Sequence, residues 1–384
     1  MMETIDKPAT DHDAEARRFR YESVFAHASF QFCGHIDEYL IKNTRRLCLL
    51  YCQPRFGEHH HVLRLYHEGE LVEERAVPSS QKLLPYYFLW FWHHNRELWR
   101  FAGGFEGRTL VMCGHPVAFF VSALTRLFRK VAYAYWIGDY FPGGGFVIRA
   151  FERLKKFYHD HVRFAYYLTD AINRKFNGGC VRRDESHRTV MWGLQPFSDC
   201  AFPRNGSKRL LFVGLVRDGQ GVDKLLDFMS AHDDYSLALV GVAANGYETV
   251  VRAAIDANGL ADRVYFENRF HSEDELREIA KTCCCGLALY DLSQDNFTHY
   301  ADPGKVKAYM ELGLPVVMTR ISDIVPYVER FKSGEVVDSL DDVCPAIERI
   351  ASDPKSYARG VAEFNGHFAY SSYYADSFKA MEVI

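Results

Sequence analysis

The second half of this 384-residue chain alternates short β-branched runs with helical stretches, a pattern typical of parallel α/β folds. Each run is apolar on both faces, as expected of strands that lie between two layers of helices. The pattern predicts a Rossmann-like domain of about 160 residues. The predicted strands are 209–215, 236–242, 263–268, 285–291, 315–319 and 334–338, and the predicted helices are 221–231, 247–259, 272–281, 303–313 and 341–352.

The first half follows the same rules less regularly, and it predicts a second Rossmann-like domain. A hairpin is expected to turn at Glu68 and Gly69, and helices are expected over 83–101 and 116–129. The predicted strands are 45–53, 109–114, 130–138, 163–169 and 189–194.

A polar segment that contains Pro and Gly, residues 196–208, is the best linker between the halves. We therefore predict an N-terminal domain over 1–195, a C-terminal domain over 209–365, and a final helix, 366–384, that crosses back to the first domain. The carboxyl ends of both sheets would then surround a shared cleft, which is where open α/β sheets bind ligands.

Composition narrows the class of protein further. No stretch reaches the roughly 18 to 20 apolar residues of a membrane span, and the acidic N-terminus lacks the order of a signal peptide, so we expect a cytoplasmic protein. The ten cysteines form no CxxC pair, which predicts reduced thiols in the core.

Residues 1–200 carry 27 Lys and Arg against 22 Asp and Glu, whereas the remainder carries 19 against 28. A basic, aromatic first half suits an anionic or membrane-associated partner, and we expect no nucleic-acid partner.

The segment YADPGKVKAYMELGLPVVMT, residues 300–319, carries the strongest chemical signal. Asp302 is expected to cap a helix, Pro303 to occupy its first position, and Gly304 and Lys305 to offer free backbone N–H groups. An anion fits such a helix end, with the Lys305 ammonium as a counter-charge. The residues alone leave open the alternative that Asp-Pro starts a surface helix whose lysine is solvated.

This segment resembles the PxK-x-x-EYMxxGxPVV signature near the donor site of retaining glycosyltransferases with the GT-B fold, in particular glycosyltransferase family 4. FVGLVRDGQGVDKLL (212–226) is similar to that family's glycine loop, YWIGDYFP (135–142) to its acceptor-side strand end, and WGLQPFSDCAF (192–202) to its domain crossover. The resemblance covers most of residues 109–352. It implies an α/β protein of the GT-B type with a cleft between its two domains, a nucleotide-sugar substrate in the C-terminal domain, an acceptor in the N-terminal domain, and no metal or other cofactor.

The resemblance also implies how the site works. The family breaks a glycosyl-phosphate bond, and preorganised N–H groups and cations stabilise the negative charge that grows on the departing phosphate. Gly214 and Gly219 would let the backbone approach the phosphates, while Lys305 and Arg217 would supply positive charge. The residues that fall where the family encloses the base and ribose are Arg269, Phe270 and Tyr290. For Phe270, core packing is an open alternative.

The chain departs from the family pattern around the donor. The family's two glutamates would fall at Tyr300 and Ala308, so Glu311, one turn later, is the candidate substitute, with a solvated helix residue as the open alternative. The cations that usually follow the glycine loop are Leu215 and Gln220, and Gln220 remains a candidate donor-binding residue. Fewer cations leave open a CMP-sugar donor, which has a single phosphate to neutralise.

Two polar residues follow strands of the first domain at positions that would face the cleft. Asp139 is expected to take the acceptor's proton or to hold the sugar, and His115 to bind acceptor or phosphate. Capping of a loop by Asp139 and of a turn by His115 are the open alternatives. The tract His59 to His61 lacks a second set of ligands at helical spacing, so we predict no metal site there.

The aromatic helix over 83–99 contains Trp90, Trp92 and Trp99 together with Arg96 and His93, a pattern compatible with lying at a lipid surface. Packing within the N-terminal domain is the alternative. A lipid surface would favour a lipid-linked acceptor.

The sequence thus leads us to expect a glycosyltransferase that moves a sugar, with retention, from a nucleotide donor to a glycan or lipid-linked glycan. Surface polysaccharide assembly at the inner face of the cell membrane is the expected setting. Because the usual glutamates are missing, a catalytically inactive sugar- or nucleotide-binding protein of the same fold is the alternative.

Overall fold

The computed structural model describes residues 21–29, 34–52, 60–114, 131–197, 206–244, 246–291 and 297–378. The chain divides into two compact units. Unit 1 comprises Met1–Gly193 and Tyr370–Ile384, and unit 2 comprises Leu194–Ala369.

The described residues form 14 strands and 12 α-helices, numbered here along the chain. The strands are β1 (Ser23–Ser29), β2 (Arg46–Cys52), β3 (His60–His67), β4 (Glu70–Pro78), β5 (Thr109–Cys113), β6 (Val131–Ile137), β7 (Phe164–Tyr167), β8 (His187–Thr189), β9 (Arg209–Val213), β10 (Ser236–Val240), β11 (Val264–Glu267), β12 (Cys285–Ala288), β13 (Val316–Thr319) and β14 (Gly334–Val337). The helices are α1 (Ile36–Asn43), α2 (Leu83–Gly103), α3 (Phe146–His159), α4 (Asp170–Phe176), α5 (Val222–Ala231), α6 (Tyr247–Ala257), α7 (Glu273–Ala280), α8 (Gly304–Glu311), α9 (Val325–Phe331), α10 (Val343–Ser352), α11 (Pro354–Phe368) and α12 (Tyr370–Phe378).

Unit 2 contains a six-stranded parallel sheet in the order β11-β10-β9-β12-β13-β14. Numbered within the unit, this order is 3-2-1-4-5-6, that of a Rossmann fold. Its central strands are buried along most of their length because helices cover both faces. All six strands and five helices predicted for this half are present, and the prediction of a Rossmann-like unit is confirmed. Helices α9 and α11 were not predicted.

The chain order of unit 2 reverses between β9 and β12, and a tyrosine of α8 occupies that point. The Tyr309 hydroxyl accepts a hydrogen bond from the Val213 N–H (3.1 Å) and donates one to the Leu287 carbonyl (2.9 Å). Its ring packs on the backbone of Gly286, where an added Cβ would lie 2.3 Å from the Tyr309 ring. These contacts fix α8 across the ends of the two central strands.

We expect Tyr309→Phe to lower the free energy of unfolding by about 1–3 kcal/mol, because two buried backbone groups lose a hydrogen-bond partner. Urea denaturation followed by circular dichroism measures the change. The matched control is Tyr265→Phe on the partly exposed edge strand β11, with an expected change within about 0.5 kcal/mol. Equal stabilities of the two variants would contradict the role given to Tyr309.

Unit 1 contains an eight-stranded sheet in the order β4-β3-β2-β1-β5-β6-β7-β8, parallel except for the hairpin of β3 and β4. The hairpin turns at Glu68 and Gly69, both with positive φ, as predicted. Four predicted strands correspond to β2, β5, β6 and β7. The strand predicted over 189–194 was wrong, since β8 ends at Thr189, and the helix predicted over 116–129 lies outside the described residues.

The carboxyl-terminal helix α12 packs in unit 1 beside α1. The Tyr374 hydroxyl donates to the Gly34 carbonyl and accepts from the Gly193 N–H, each at 2.6 Å. Tyr374 and Phe378 are fully buried in the core of this unit. The sequence places the return of the chain at residue 366, whereas α11 of unit 2 runs to Phe368 and α12 begins at Tyr370.

Helix α2 packs on β1 through a pair of buried histidines. The Trp90 indole N–H donates to Nε2 of His27, so a neutral His27 carries its proton on Nδ1 and donates it to Nδ1 of His94, 2.5 Å away. Burial lowers the pKa of His94 to about 3. Trp90 is therefore a core residue, only 4% exposed, and for this residue the alternative of packing within the N-terminal domain is confirmed.

We expect the free energy of unfolding to fall as the pH drops below about 6.5. In this range His94 binds a proton in the unfolded chain but stays neutral in the folded protein. His94→Asn, whose amide oxygen still accepts from His27, should reduce this slope by about 1.4 kcal/mol per pH unit. Urea denaturation between pH 7.5 and 5 measures it, with the exposed His161→Asn as the control. An unchanged slope in His94→Asn would refute the assignment.

Candidate active site

A cavity of about 250 Å³ lies at the carboxyl ends of β9 and β12, at the point where the strand order of unit 2 reverses. Ligands of open α/β sheets bind at such a point. The cavity is lined by Gly214, Leu215, Arg217, Gln220, Tyr290, Phe297, Thr298, Ala301, Asp302, Pro303, Gly304 and Lys305. The structure thus brings together Gly214, Arg217, Gln220, Tyr290, Asp302, Pro303, Gly304 and Lys305 from the residues named by sequence. Phe297, Thr298 and Ala301 were missed, although they directly precede the Asp-Pro segment.

The amino end of α8 opens on this cavity. The helix begins at Gly304, with Pro303 as its N-cap residue, one position later than predicted. Within the described residues, the backbone N–H groups of Gly304 and Lys305 have no hydrogen-bond acceptor. Gly304 is exposed, and nothing lies within 4 Å of a Cβ built on it. Free N–H groups and the helix dipole together make this end a site for an anion.

Lys305 places its ammonium group at the same end. Its Nζ lies 3.4 Å from the Gln220 carbonyl oxygen, 4.1 Å from the ring centre of Phe212 and 4.7 Å from that of Tyr290. Burial, and secondarily the positive charge of Arg217, lower the pKa of Lys305 to about 7. Among the described residues no carboxylate forms an ion pair with it. An anion bound beside Lys305 would therefore favour the charged form of the amine.

Arg217 is a second cation of the cavity. Its guanidinium lies 5.1 Å from the ring centre of Phe297, and its buried Nε finds no acceptor in the part of the chain that the structure describes. As with Lys305, no described carboxylate pairs with it. Two cations that share one small cavity without a counter-ion repel each other, and a phosphate group would relieve that repulsion.

Glycines bring the backbone of the β9 and β10 loops close together. Gly214 and Gly241 have φ of 139° and 142°, and a Cβ on Gly241 would lie 1.8 Å from the Gly214 carbonyl oxygen. Gly221, just before α5, would place a Cβ 1.7 Å from the Leu289 carbonyl oxygen. Gly214 and Gly219 were predicted from the sequence, whereas Gly221 and Gly241 were not. Both could have been found from the sequence, since Gly241 lies near the end of a predicted strand and Gly221 lies at the start of a predicted helix.

Asp302 does not cap α8 as predicted. No side chain caps this helix, and the Asp302 carboxylate instead forms a buried ion pair with Lys307, at 3.2 Å. Lys307 also lies 3.9 Å from the ring centre of Phe368. Asp302 is the one carboxylate among the lining residues, and Lys307 neutralises it from outside the cavity. Its repulsion of a bound anion is therefore weakened.

Three predicted donor residues lie away from the cavity. Glu311 is at the other end of α8, about 10 Å along the helix from Gly304, where it accepts a hydrogen bond from the Gln195 N–H (2.8 Å). Arg269 follows the edge strand β11 and pairs with Glu267 (2.7 Å) and Glu275 (2.8 Å). Phe270 is 87% exposed beside it, so the alternative of core packing was also wrong for this residue.

The candidate acceptor residues belong to unit 1. Asp139 follows β6, and its backbone carbonyl accepts a hydrogen bond from Lys155. Although part of the Asp139 side chain meets solvent, the protein around it desolvates the carboxyl and raises its pKa, an effect that the Lys155 charge partly offsets. His115 lies outside the described residues.

A larger groove of about 680 Å³ runs beside β11, but its arginines already have hydrogen-bond acceptors. Arg263 donates to three backbone carbonyls, Arg209 donates to Thr282, and Arg252 pairs with Glu248. We therefore place the candidate site in the smaller cavity, where the cations are unpaired.

Within the described part of the chain, no group of three or more His, Cys, Asp or Glu side chains is arranged to hold a metal ion. His61 is buried against the Tyr86 ring, 5.8 Å between centres, and His59 lies outside the described residues. Among the described helices, none combines the length and the apolar character that crossing a membrane requires.

Residues 244–378 match the family model of the glucosyltransferase 3-like C-terminal domain. The matched part runs from α6 to α12 and includes the whole of α8 and the Asp-Pro segment before it. No curated protein sequence matches the chain significantly.

Solved glycosyltransferase structures share the fold. Sucrose-phosphate synthase from Thermosynechococcus elongatus has a TM-score of 0.66 at 13% identity, with 94% of this chain and 98% of that chain covered. Anabaena Alr3699/HepE, in complex with UDP, has a TM-score of 0.65 at 13% identity, covering 94% and 99%. A trehalose-6-phosphate protein from E. coli, bound with UDP-2-fluoro glucose, has a TM-score of 0.64 at 10% identity, covering 94% and 100%. These likenesses establish a GT-B fold, and together with the matched domain they identify the chain as a glycosyltransferase.

Proposed function

We propose that this glycosyltransferase uses a UDP-sugar as its donor and holds the donor phosphates in the cavity of unit 2. One observation carries the proposal: Lys305, Arg217 and the free N–H groups at the start of α8 converge on a small cavity without a described carboxylate to pair with either cation. Two of the similar structures contain UDP or a UDP-sugar, which favours UDP over the CMP-sugar alternative.

The same groups would stabilise the departing nucleotide. As the glycosyl-phosphate bond breaks, negative charge grows on the phosphate, and donors already fixed around it stabilise that charge without reorganising. Lys305 and Arg217 would contribute full charges, and the N–H groups of Gly304 and Lys305 would contribute the helix dipole. The close approach of Gly214 to Gly241 leaves the loop backbone without side chains in the way.

We propose transfer with retention to a glycan or lipid-linked glycan, as in glycosyltransferase family 4, without a metal ion. Retention needs no strong protein base, which suits a site whose usual glutamates are replaced by Tyr300 and Ala308. Asp139, with its raised pKa, would accept the acceptor's proton or hold its sugar, and His115 would bind acceptor or phosphate. Surface polysaccharide assembly remains the proposed setting.

Helix α2 supports association with a membrane. Leu84, Phe88, Trp92 and Trp99 form an exposed stripe along it, between 46% and 80% exposed, and its sole carboxylate, Glu97, is buried. An aromatic stripe without acidic residues suits the interfacial region of a bilayer. The protein would then reach a lipid-linked acceptor at the inner face of the cell membrane.

We expect UDP to raise the melting temperature of the protein, since a ligand at 100 times its dissociation constant adds about 2.7 kcal/mol of stability. Lys305→Met should abolish most of this shift, whereas the exposed Lys355→Met should preserve it. Differential scanning fluorimetry with UDP, GDP, ADP and CMP measures both. A shift with CMP or CMP-sugars instead of UDP would establish the alternative donor, and no shift with any nucleotide would refute the site.

Turnover separates an active enzyme from an inactive binding protein. Release of UDP from UDP-sugars in the presence of glycan acceptors, with NMR of the product's anomeric proton, tests transfer and retention together. Nucleotide binding without turnover would favour the inactive alternative.

We expect UDP binding at pH 8 to take up close to one proton, because Lys305, with a pKa of about 7, is mostly neutral until the phosphates recharge it. Affinity should accordingly decrease as the pH rises above 7. Isothermal titration calorimetry in buffers of different ionisation enthalpy counts the proton. Lys305→Arg stays charged and should bind UDP with less proton uptake; equal uptake in both proteins would exclude Lys305 as the group that titrates.

A further inference from the structure

The first turn of α3 is apolar yet exposed to solvent. Phe146 is 74% exposed, Val147 77% and Ile148 39%. The helix is anchored to unit 1 by its second half, where His159 Nε2 lies 2.5 Å from the Tyr167 hydroxyl. The start of the helix therefore presents apolar side chains that nothing in the described part of the chain covers.

Two arginines extend this exposed surface. Arg149 and Arg153 lie four residues apart on one side of α3, both exposed. Neither forms an ion pair with a described carboxylate, in contrast to Lys156, which pairs with Asp160 at 2.5 Å. The exposed surface thus combines apolar side chains with uncompensated positive charge.

We propose that this surface binds a lipid bilayer that carries anionic headgroups. Phe146 and Val147 enter the interfacial region, and Arg149 and Arg153 bind lipid phosphates, as basic amphipathic helices do. The charge argues against a second copy of the chain as the occupant. A symmetric contact would place the arginines of both copies against each other.

The carboxyl group of Glu152 and the ammonium of Lys155 connect this surface to the loop that contains Asp139. Lys155 donates to the Asp139 carbonyl and pairs with Glu152 at 2.9 Å, and Glu152 accepts a hydrogen bond from the Phe141 N–H at 3.3 Å. The loop is therefore held to the helix that meets the bilayer. If the proposed function holds, a lipid-linked acceptor reaches Asp139 from that bilayer.

Vesicle flotation of the full chain tests the inference, with vesicles of phosphatidylcholine alone and of phosphatidylcholine with phosphatidylglycerol. We expect binding to the anionic vesicles that weakens with salt. Arg149→Gln/Arg153→Gln should bind roughly 10- to 30-fold more weakly, and Phe146→Ser/Val147→Ser should lose at least as much. The matched controls in unit 2, Val250→Ser and Lys355→Gln, change an exposed apolar residue and an exposed cation and should bind as the wild type does.

The α2 variant Phe88→Ser/Trp92→Ser distinguishes the two exposed surfaces of unit 1. The α3 inference is overturned if wild-type protein ignores anionic vesicles, if it binds neutral vesicles equally well, or if only the α2 variant loses binding. A dimer in analytical ultracentrifugation that Phe146→Ser/Val147→Ser dissolves would also overturn it. The UDP-induced shift in melting temperature, measured on each variant, tests the donor site independently of bilayer binding. Failure of one of these two proposals therefore does not decide the other.

Discussion

The geometry of the candidate site depends on the two hydrogen bonds of the Tyr309 hydroxyl. Parallel strands β9 and β12 are neighbours only at their amino ends, and the Tyr309 hydroxyl bonds to the backbone of both beyond that point. Lys305 lies one helical turn before Tyr309, on the same side of α8. Fixing the tyrosine therefore fixes the amine and the open helix end against the loops that follow β9 and β12. A side chain of the core thus determines the geometry of a polar cavity.

The electrostatics of that cavity are organised for a ligand that brings negative charge. Asp302 is the carboxylate closest in sequence to the helix end, yet Lys307 neutralises it, while Lys305 and Arg217 have no such partner among the described residues. Burial and, to a smaller extent, the Arg217 charge lower the pKa of Lys305 to about 7. Under the proposed function, this arrangement holds the donor phosphates although Tyr300 and Ala308 stand where the resembled family has glutamates, and Leu215 and Gln220 where it has loop cations.

Much of unit 2 was predictable, because its strands are buried on both faces and turn residues separate them from amphipathic helices. The helix-end motif likewise identified Pro303, Gly304 and Lys305 from neighbouring residues alone. Errors arose where a distant partner decides the outcome. Glu311 binds the Gln195 backbone, Asp302 pairs with Lys307, and Trp90 donates to His27, and no local pattern reveals any of these contacts. In unit 1, the seven-residue strand β1 was not predicted, because Ser23 and His27 interrupt its apolar run.

The position of α12 has a consequence for how the chain is made. Its residues Tyr374 and Phe378 fill the core of unit 1 against Tyr39 and Trp136, so the first unit to be translated lacks part of its interior until α12 emerges. Unit 2 is continuous in sequence and has all its strands before that moment. On the ribosome, the later half of the polypeptide can therefore complete its folding before the earlier half, and a truncated message would yield a protein with an open hydrophobic interior.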